Sequence, residues 1–145
     1  MHMTDILYKD GYEAMDFERA TEMLSKAYWC LGIGIDEMRE GAKNSALVVG
    51  AFDSEGRQIG YARAISDKVR FAYVTDVYVD EGYRKQGIGQ GMMRHMLNHP
   101  SLAKVYQWLL ITRDAHEVYK KVGFATMTRP LDWLQIWKPR PGNSR

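Results

Sequence analysis

The sequence predicts an α+β domain, and three observations carry that reading. Residues 46–52, 58–65 and 71–79 are apolar, β-branched or aromatic runs separated by two tight turns, the pattern of an antiparallel meander. Two amphipathic helical stretches precede it. A glycine-rich turn, Arg84-Lys85-Gln86-Gly87-Ile88-Gly89-Gln90-Gly91, joins the last meander strand to a further helix. The 145 residues fit one domain, with a core over about residues 5–137 and a flexible tail over 138–145.

In chain order, Ile6-Leu7-Tyr8 opens as a first strand. Asp16 is the N-cap of a helix reaching to about Tyr28, because Phe17, Ala20, Met23, Leu24, Ala27 and Tyr28 share one face. Gly32 and Gly34 frame the loop that breaks it. Asp36 caps a second helix over 37–43, ended by Asn44-Ser45. The run 46–52 (ALVVGAF) is a buried strand. Asp53-Ser54-Glu55-Gly56 makes a hairpin turn into 58–65, and Ser66-Asp67-Lys68 turns into 71–79. The helix over 87–98 stops at His99-Pro100. Residues 105–112 form another buried strand. Asp114 caps a short helix over 115–122, which Gly123 ends. Residues 126–127 and 134–137 close the sheet as a pair of strands.

Composition excludes several classes. A formal net charge of +2 leaves no footprint for nucleic acid. The single cysteine, Cys30, makes neither an internal disulfide nor a metal site, and it fits a reducing, cytoplasmic setting. No apolar run approaches the roughly 18 residues of a membrane span, and the N-terminus lacks a signal-peptide pattern. Nine methionines and seventeen aromatic residues fill a core with adaptable side chains, or line a pocket for an apolar substrate group.

The glycine-rich turn is an anion site in prospect. N–H groups at a helix N-terminus have no intrahelical partner and carry the positive end of the helix dipole. Glycines let a phosphate approach them, and Arg84 and Lys85 add full charges. No Lys-Ser/Thr follows, so this is not the P-loop of a nucleotide hydrolase. The turn also does not open an N-terminal βαβ unit, which argues against a dinucleotide fold.

The order helix, helix, meander, Arg84-x-x-Gly87-x-Gly89, helix, strand, short helix resembles the GNAT N-acetyltransferases. Ala115-His116-Glu117-Val118-Tyr119-Lys120-Lys121-Val122-Gly123-Phe124 is similar to that family's second signature, A-x-x-x-Y-x-x-x-G-F. The resemblance implies a central, mixed, twisted sheet with helices on both faces. It implies that strands 74–79 and 105–111 are parallel neighbours that splay, with acetyl-CoA as co-substrate in the gap. Val77 and Val79 would bond the pantetheine arm through their backbone. Arg84, Lys85, Gln86, Gly87, Ile88, Gly89, Gln90 and Gly91 would hold the pyrophosphate. Ala115 sits where the arm passes. Thr112 stands where the family commonly has asparagine, which leaves that contact open. Tyr119 would protonate, or hydrogen-bond to, the departing sulfur.

The reaction implied is direct transfer of acetyl to a primary amine in a ternary complex, with no metal. Asp76 reads two ways, as a group that attracts or deprotonates the amine, or as a carboxylate paired with a nearby cation. Glu37, Glu40 and His116 are further base candidates, and His116 reads better as an exposed helix residue. Tyr28 and Trp29 fit the acceptor end, with Trp29 equally readable as core. The acceptor is a small-molecule amine or a peptide or protein amine, and a homodimer is open because dimers are frequent in the family. The competing function is a non-catalytic acyl-CoA-binding or sensor domain.

Overall fold

A computed structural model describes residues 5–141. Five strands make one sheet in the order β1-β2-β3-β4-β5: β1 Leu7–Asp10, β2 Leu47–Phe52, β3 Gln58–Ser66, β4 Phe71–Val79 and β5 Gln107–Leu110. The first three pairings are antiparallel, and β5 joins β4 in parallel. A parallel pair needs a crossover, and helix α3, Ile88–Leu97, supplies it. The α+β class and the mixed sheet are therefore both observed.

Helices α1 (Phe17–Leu24) and α2 (Ile35–Lys43) cover one face of the sheet. Phe17, Met23, Leu24 and Met38 pack there against Val48, Tyr61 and Tyr78. On the other face, Met92, Met93 and Met96 of α3 pack against Val49, Ile59 and Val74. These methionines are fully buried. They are core residues, each stabilising the fold by about 2 kcal/mol.

Helix α1 starts as the sequence predicts, with the Asp16 carboxylate accepting the Arg19 N–H at 3.1 Å. It ends a turn earlier than the apolar face suggests. Lys26 and Ala27 N–H groups bond back only three residues, to Met23 and Leu24, which tightens the last turn into a stop. Tyr28–Cys30 then form a separate 3-10 turn. Helix α2 is capped at Gly34 instead of Asp36. Asp36 lies inside its first turn, where a carboxylate suits the dipole. The short helix α4, His116–Lys120, is capped at Ala115, not Asp114. The hydroxyl of Thr112 takes the Ala115 N–H at 3.1 Å in its place.

The expected closing strands over 126–127 and 134–137 are absent. Pro130–Asp132 turns the chain there, held by an Arg129–Asp132 ion pair, and among the described residues neither segment joins the sheet. Strand propensity without a partner yields only extended coil.

One irregularity positions the site. The β3–β4 register shifts between Tyr61 and Arg63, and the residue absorbing the extra position on β4 is Asp76, at φ +58°. Before this bulge, Ala72 and Val74 are buried, Val74 within the α3-side core. After it, Tyr78 joins the α1-side core, and Val77 and Val79 pack toward α3. The bulge thus flips which side chains face which layer.

Candidate active site

Strand β5 pairs only with Phe71–Val74 of β4. β5 ends at Leu110, opposite Val74, so among the described residues Thr75–Val79 of β4 have no strand partner on that side. The Asp80 N–H donates to the Ile59 carbonyl of β3 at 2.8 Å. Alternation along the strand turns the N–H groups of Val79 and Val77 the other way, to the side on which β5 has already ended. Buried backbone groups of this kind need partners, and an extended amide ligand offers them.

The glycine-rich turn follows this stretch of β4. The Arg84 Nε donates to the Val79 carbonyl at 3.0 Å, and its guanidinium stacks 5.0 Å from the Tyr78 ring centroid. Lys85 (φ +66°) and Gly87 (φ +80°) are both left-handed, which curls successive N–H groups toward one side. Lys85, Gln86 and Gly87 are exposed, while Gln90 is half-buried and Ile88 is anchored in the core. Helix α3 has no side-chain cap, and its first intrahelical N–H bond comes from Gly91 to the Gly87 carbonyl, at 2.9 Å. The preceding N–H groups are therefore open to an anion.

The glycines differ in what requires them. A Cβ on Gly89 would meet only Val79 Cγ2, at 3.8 Å, so space is kept there. A Cβ on Gly91 would run into the Tyr8 phenol of β1. Glycine at 91 serves strand–helix packing, and its N–H is already bonded.

Tyr119 of α4 packs edge-on against Phe124 with ring centroids 6.1 Å apart. Burial pushes its phenol up to about 12, and the nearby Asp114 and Tyr28 disfavour the phenolate further. At neutral pH Tyr119 is a proton-bearing donor. Ala115 is half-buried in the same turn, and the Thr112 hydroxyl is engaged as the cap.

Tyr28 and Trp29 stand in a T-shaped pair, ring centroids 5.0 Å apart, and both are partly exposed. Trp29 is thus not a core residue. Its indole N–H donates to Asp76 Oδ1 at 3.0 Å, and the Cys30 thiol donates to the same oxygen at 3.4 Å. Arg63 Nε donates to Asp76 Oδ2 at 2.8 Å. The carboxylate, 8 % exposed, is thus a paired group, and Oδ2 keeps one lone-pair direction for an ammonium or a water. Burial, with Asp76 alongside, pushes the Cys30 thiol up to about 12, which removes it as a nucleophile at neutral pH.

Glu37 is ion-paired with Arg140, and Arg140 also donates to the Trp29 carbonyl at 3.4 Å. His116 is exposed. Sequence reasoning missed Arg113, whose guanidinium stacks 4.0 Å from the Tyr28 ring centroid. It also missed Arg63 and Cys30 as partners of Asp76. An arginine inside the apolar run 58–65 was a signal for Arg63, whereas nothing local marks Arg113.

Residues 43–126 match the family described as the acetyltransferase (GNAT) domain. The uncharacterised N-acetyltransferase ycf52 of Porphyra purpurea is 24% identical over 110 residues, 73% of this chain and 63% of that protein. The chain thus spans less than two thirds of that relative's length. A crystal structure from Xanthomonas campestris pv. campestris, assigned to the GNAT family, is 29% identical, with a TM-score of 0.86 over 95% of this chain and 96% of its own. A predicted acetyltransferase of Clostridium acetobutylicum, solved with acetyl-CoA, is 19% identical with a TM-score of 0.64, covering 91% and 96% of the two chains.

Proposed function

The chain belongs to the acetyltransferase (GNAT) family, and from that premise we propose that it moves an acetyl group from acetyl-CoA to a primary amine by direct attack. The observation that carries this reading is the α3 N-terminus without a side-chain cap, tied through Arg84 to Val79 on the part of β4 that lies beyond the end of β5. In this proposal acetyl-CoA runs from there along Val79 and Val77 to the protonated phenol of Tyr119. The acetyl-CoA held by the C. acetobutylicum neighbour on the same fold supports that choice of donor.

In this reading the N–H groups around Gln86 to Gln90, with Arg84 and Lys85, hold the pyrophosphate. The pantetheine amides bond Val77 and Val79, passing Ala115 and Thr112. The Val79 N–H is also assigned the task of stabilising charge on the thioester oxygen. The free position on Asp76 Oδ2 receives the amine or a water that takes its proton. The half-exposed Tyr28 and Trp29 flank the acceptor entry. Tyr119 donates a hydrogen bond to the sulfur as it leaves.

The competing reading, acyl-CoA binding without turnover, draws on the engagement of Asp76 by three donors, which leaves the site without an obviously free base. Incubation with acetyl-CoA and a panel of small amines and peptides, following release of free thiol, decides between them. Thiol release with an acetylated amine is expected. Thermal stabilisation by CoA with no turnover on any amine would instead leave the sensor.

A further inference from the structure

Arg113 lies in the turn between β5 and α4. Its guanidinium sits over the Tyr28 ring, 4.0 Å from the centroid. Tyr28 meets Trp29 in the T-shaped pair at 5.0 Å, and the Trp29 indole N–H reaches the Asp76 carboxylate at 3.0 Å. One row of side chains therefore joins a buried anion to an exposed cation by way of two aromatic rings. The row also borders the reacting end, because Tyr28 bears on the ionisation of Tyr119.

The arginines of this region differ in what they leave free. Arg63 is taken up by Asp76, the Gly41 carbonyl and the Ser45 hydroxyl. Arg140 is paired with Glu37. Among the described residues, Arg113 has neither an ion pair nor a side-chain hydrogen bond, and its sequence neighbour Asp114 does not pair with it. A guanidinium held over a ring keeps the N–H donors at its rim available. They form a fork that matches a carboxylate in two parallel hydrogen bonds. At the other end of the row, Asp76 Oδ2 has one position left for an ammonium. The two rings between offer apolar contact to a spacer and no charge.

We infer that the acceptor is a primary amine that also bears a carboxylate, with its ammonium at Asp76 and its carboxylate on the Arg113 guanidinium. The assignment rests on the acetyl-transfer reading above and narrows its acceptor. The phosphates of the donor do not compete for Arg113 in that reading, since they lie at the α3 N-terminus. Two ring widths separate the charged ends, on the order of 10 Å, which a spacer of about five methylenes or a dipeptide covers once a hydrogen bond is added at each end. On transfer the N–C bond forms as the C–S bond breaks. Of the two protons the ammonium gives up, one leaves with the CoA thiol and one goes to solvent.

The test compares 6-aminohexanoate with 6-aminohexanamide, which differ only in the far charge. Thiol release from acetyl-CoA gives KM for each, and calorimetry of the full chain with CoA present gives Kd. Both constants should be at least about 10-fold lower for the carboxylate. The ratio should collapse to about one in Arg113→Gln. Arg113 is exposed, so this variant should melt as the parent does. Equal constants for the two compounds overturn the assignment, as does failure of both to bind. So does a preference that survives in Arg113→Gln, or a 10-fold loss of CoA affinity in that variant, which would give the residue to the donor instead. Binding of 6-aminohexanoate that depends on Arg113, with no thiol release from any amine, would sustain this site and remove the transfer reading. Thiol release with equal KM for the two compounds would do the reverse.

Discussion

Arg63 and Asp76 face each other across β3 and β4, Nε to Oδ2 at 2.8 Å, at the point where the strand register slips. Asp76 is both the bulge residue, at φ +58°, and the acceptor for three donors. Asparagine tolerates the left-handed region about as well as aspartate, but it cannot hold the guanidinium. Asp76→Asn should therefore cost about 2 kcal/mol, since one ion of a largely buried pair is left behind. Asp76→Ala should cost about 1 kcal/mol more, because alanine adds backbone strain. Urea unfolding of the two variants checks the ordering, and equal stabilities would remove the strain argument.

Gly89 and Gly91 sit two residues apart, and their substitutions should fail in opposite ways. Gly89→Asp meets no backbone, and its carboxylate suits the α3 N-terminus. The melting temperature of the free protein should hold or rise, while CoA affinity falls at least about 100-fold from charge conflict with the pyrophosphate. Gly91→Ala collides with Tyr8 and should lower stability by about 1–3 kcal/mol. Calorimetric CoA titration beside thermal melts separates the two. Retained CoA affinity in Gly89→Asp would displace the pyrophosphate from this turn.

What the sequence revealed follows from how local each signal is. The meander, α3 and the Asp16 cap were legible because periodicity and capping act within a few residues. Residues 126–127 and 134–137 were misread as strands because propensity says nothing about whether a partner strand exists. Asp76 was legible as a carboxylate on a strand that needs an explanation. Its three donors come from residues 13, 46 and 47 positions away, and no pattern in the sequence ties those together. Gly91 shows the same limit, since a glycine kept for a β1 tyrosine looks identical to one kept for a phosphate.

Asp10 ties β1 to α3. Its Oδ2 lies 2.7 Å from His95 Nε2, and its Oδ1 lies 3.4 Å from His99 Nε2. The His95 contact, helped by the nearby His99, holds the carboxyl below its usual range of about 3.8 against the opposing effect of burial. A depressed value in the fold means the stabilisation is present above the ordinary carboxylate pKa and fades as pH drops through the folded value. Acid unfolding of Asp10→Asn should therefore show a smaller loss of stability between neutral pH and pH ~3 than the parent, because this contribution is already gone. Equal acid sensitivity in both proteins would mean that the Asp10–His95 contact carries no linkage.

Tyr119 is the sharpest test of the chemistry. With its phenol pushed up to about 12, full proton transfer to an alkyl thiolate of pKa near 8.5 is uphill by roughly 5 kcal/mol. The side chain is therefore better suited to donate a hydrogen bond to the developing thiolate than to surrender its proton in a separate step. Tyr119→Phe removes only that bond and keeps the edge contact with Phe124, so the melting temperature and CoA affinity should stay close to the parent's. Turnover should fall about 10²-fold, in kcat and not in KM for acetyl-CoA. The parent's rate should climb with pH as the acceptor amine loses its proton, with no falling limb below about pH 10, because the phenol remains protonated there. An unchanged kcat in Tyr119→Phe would take the donor role away from this residue. A falling limb between pH 8 and 9 that disappears in Tyr119→Phe would instead mean that the phenol titrates far below the value its burial sets.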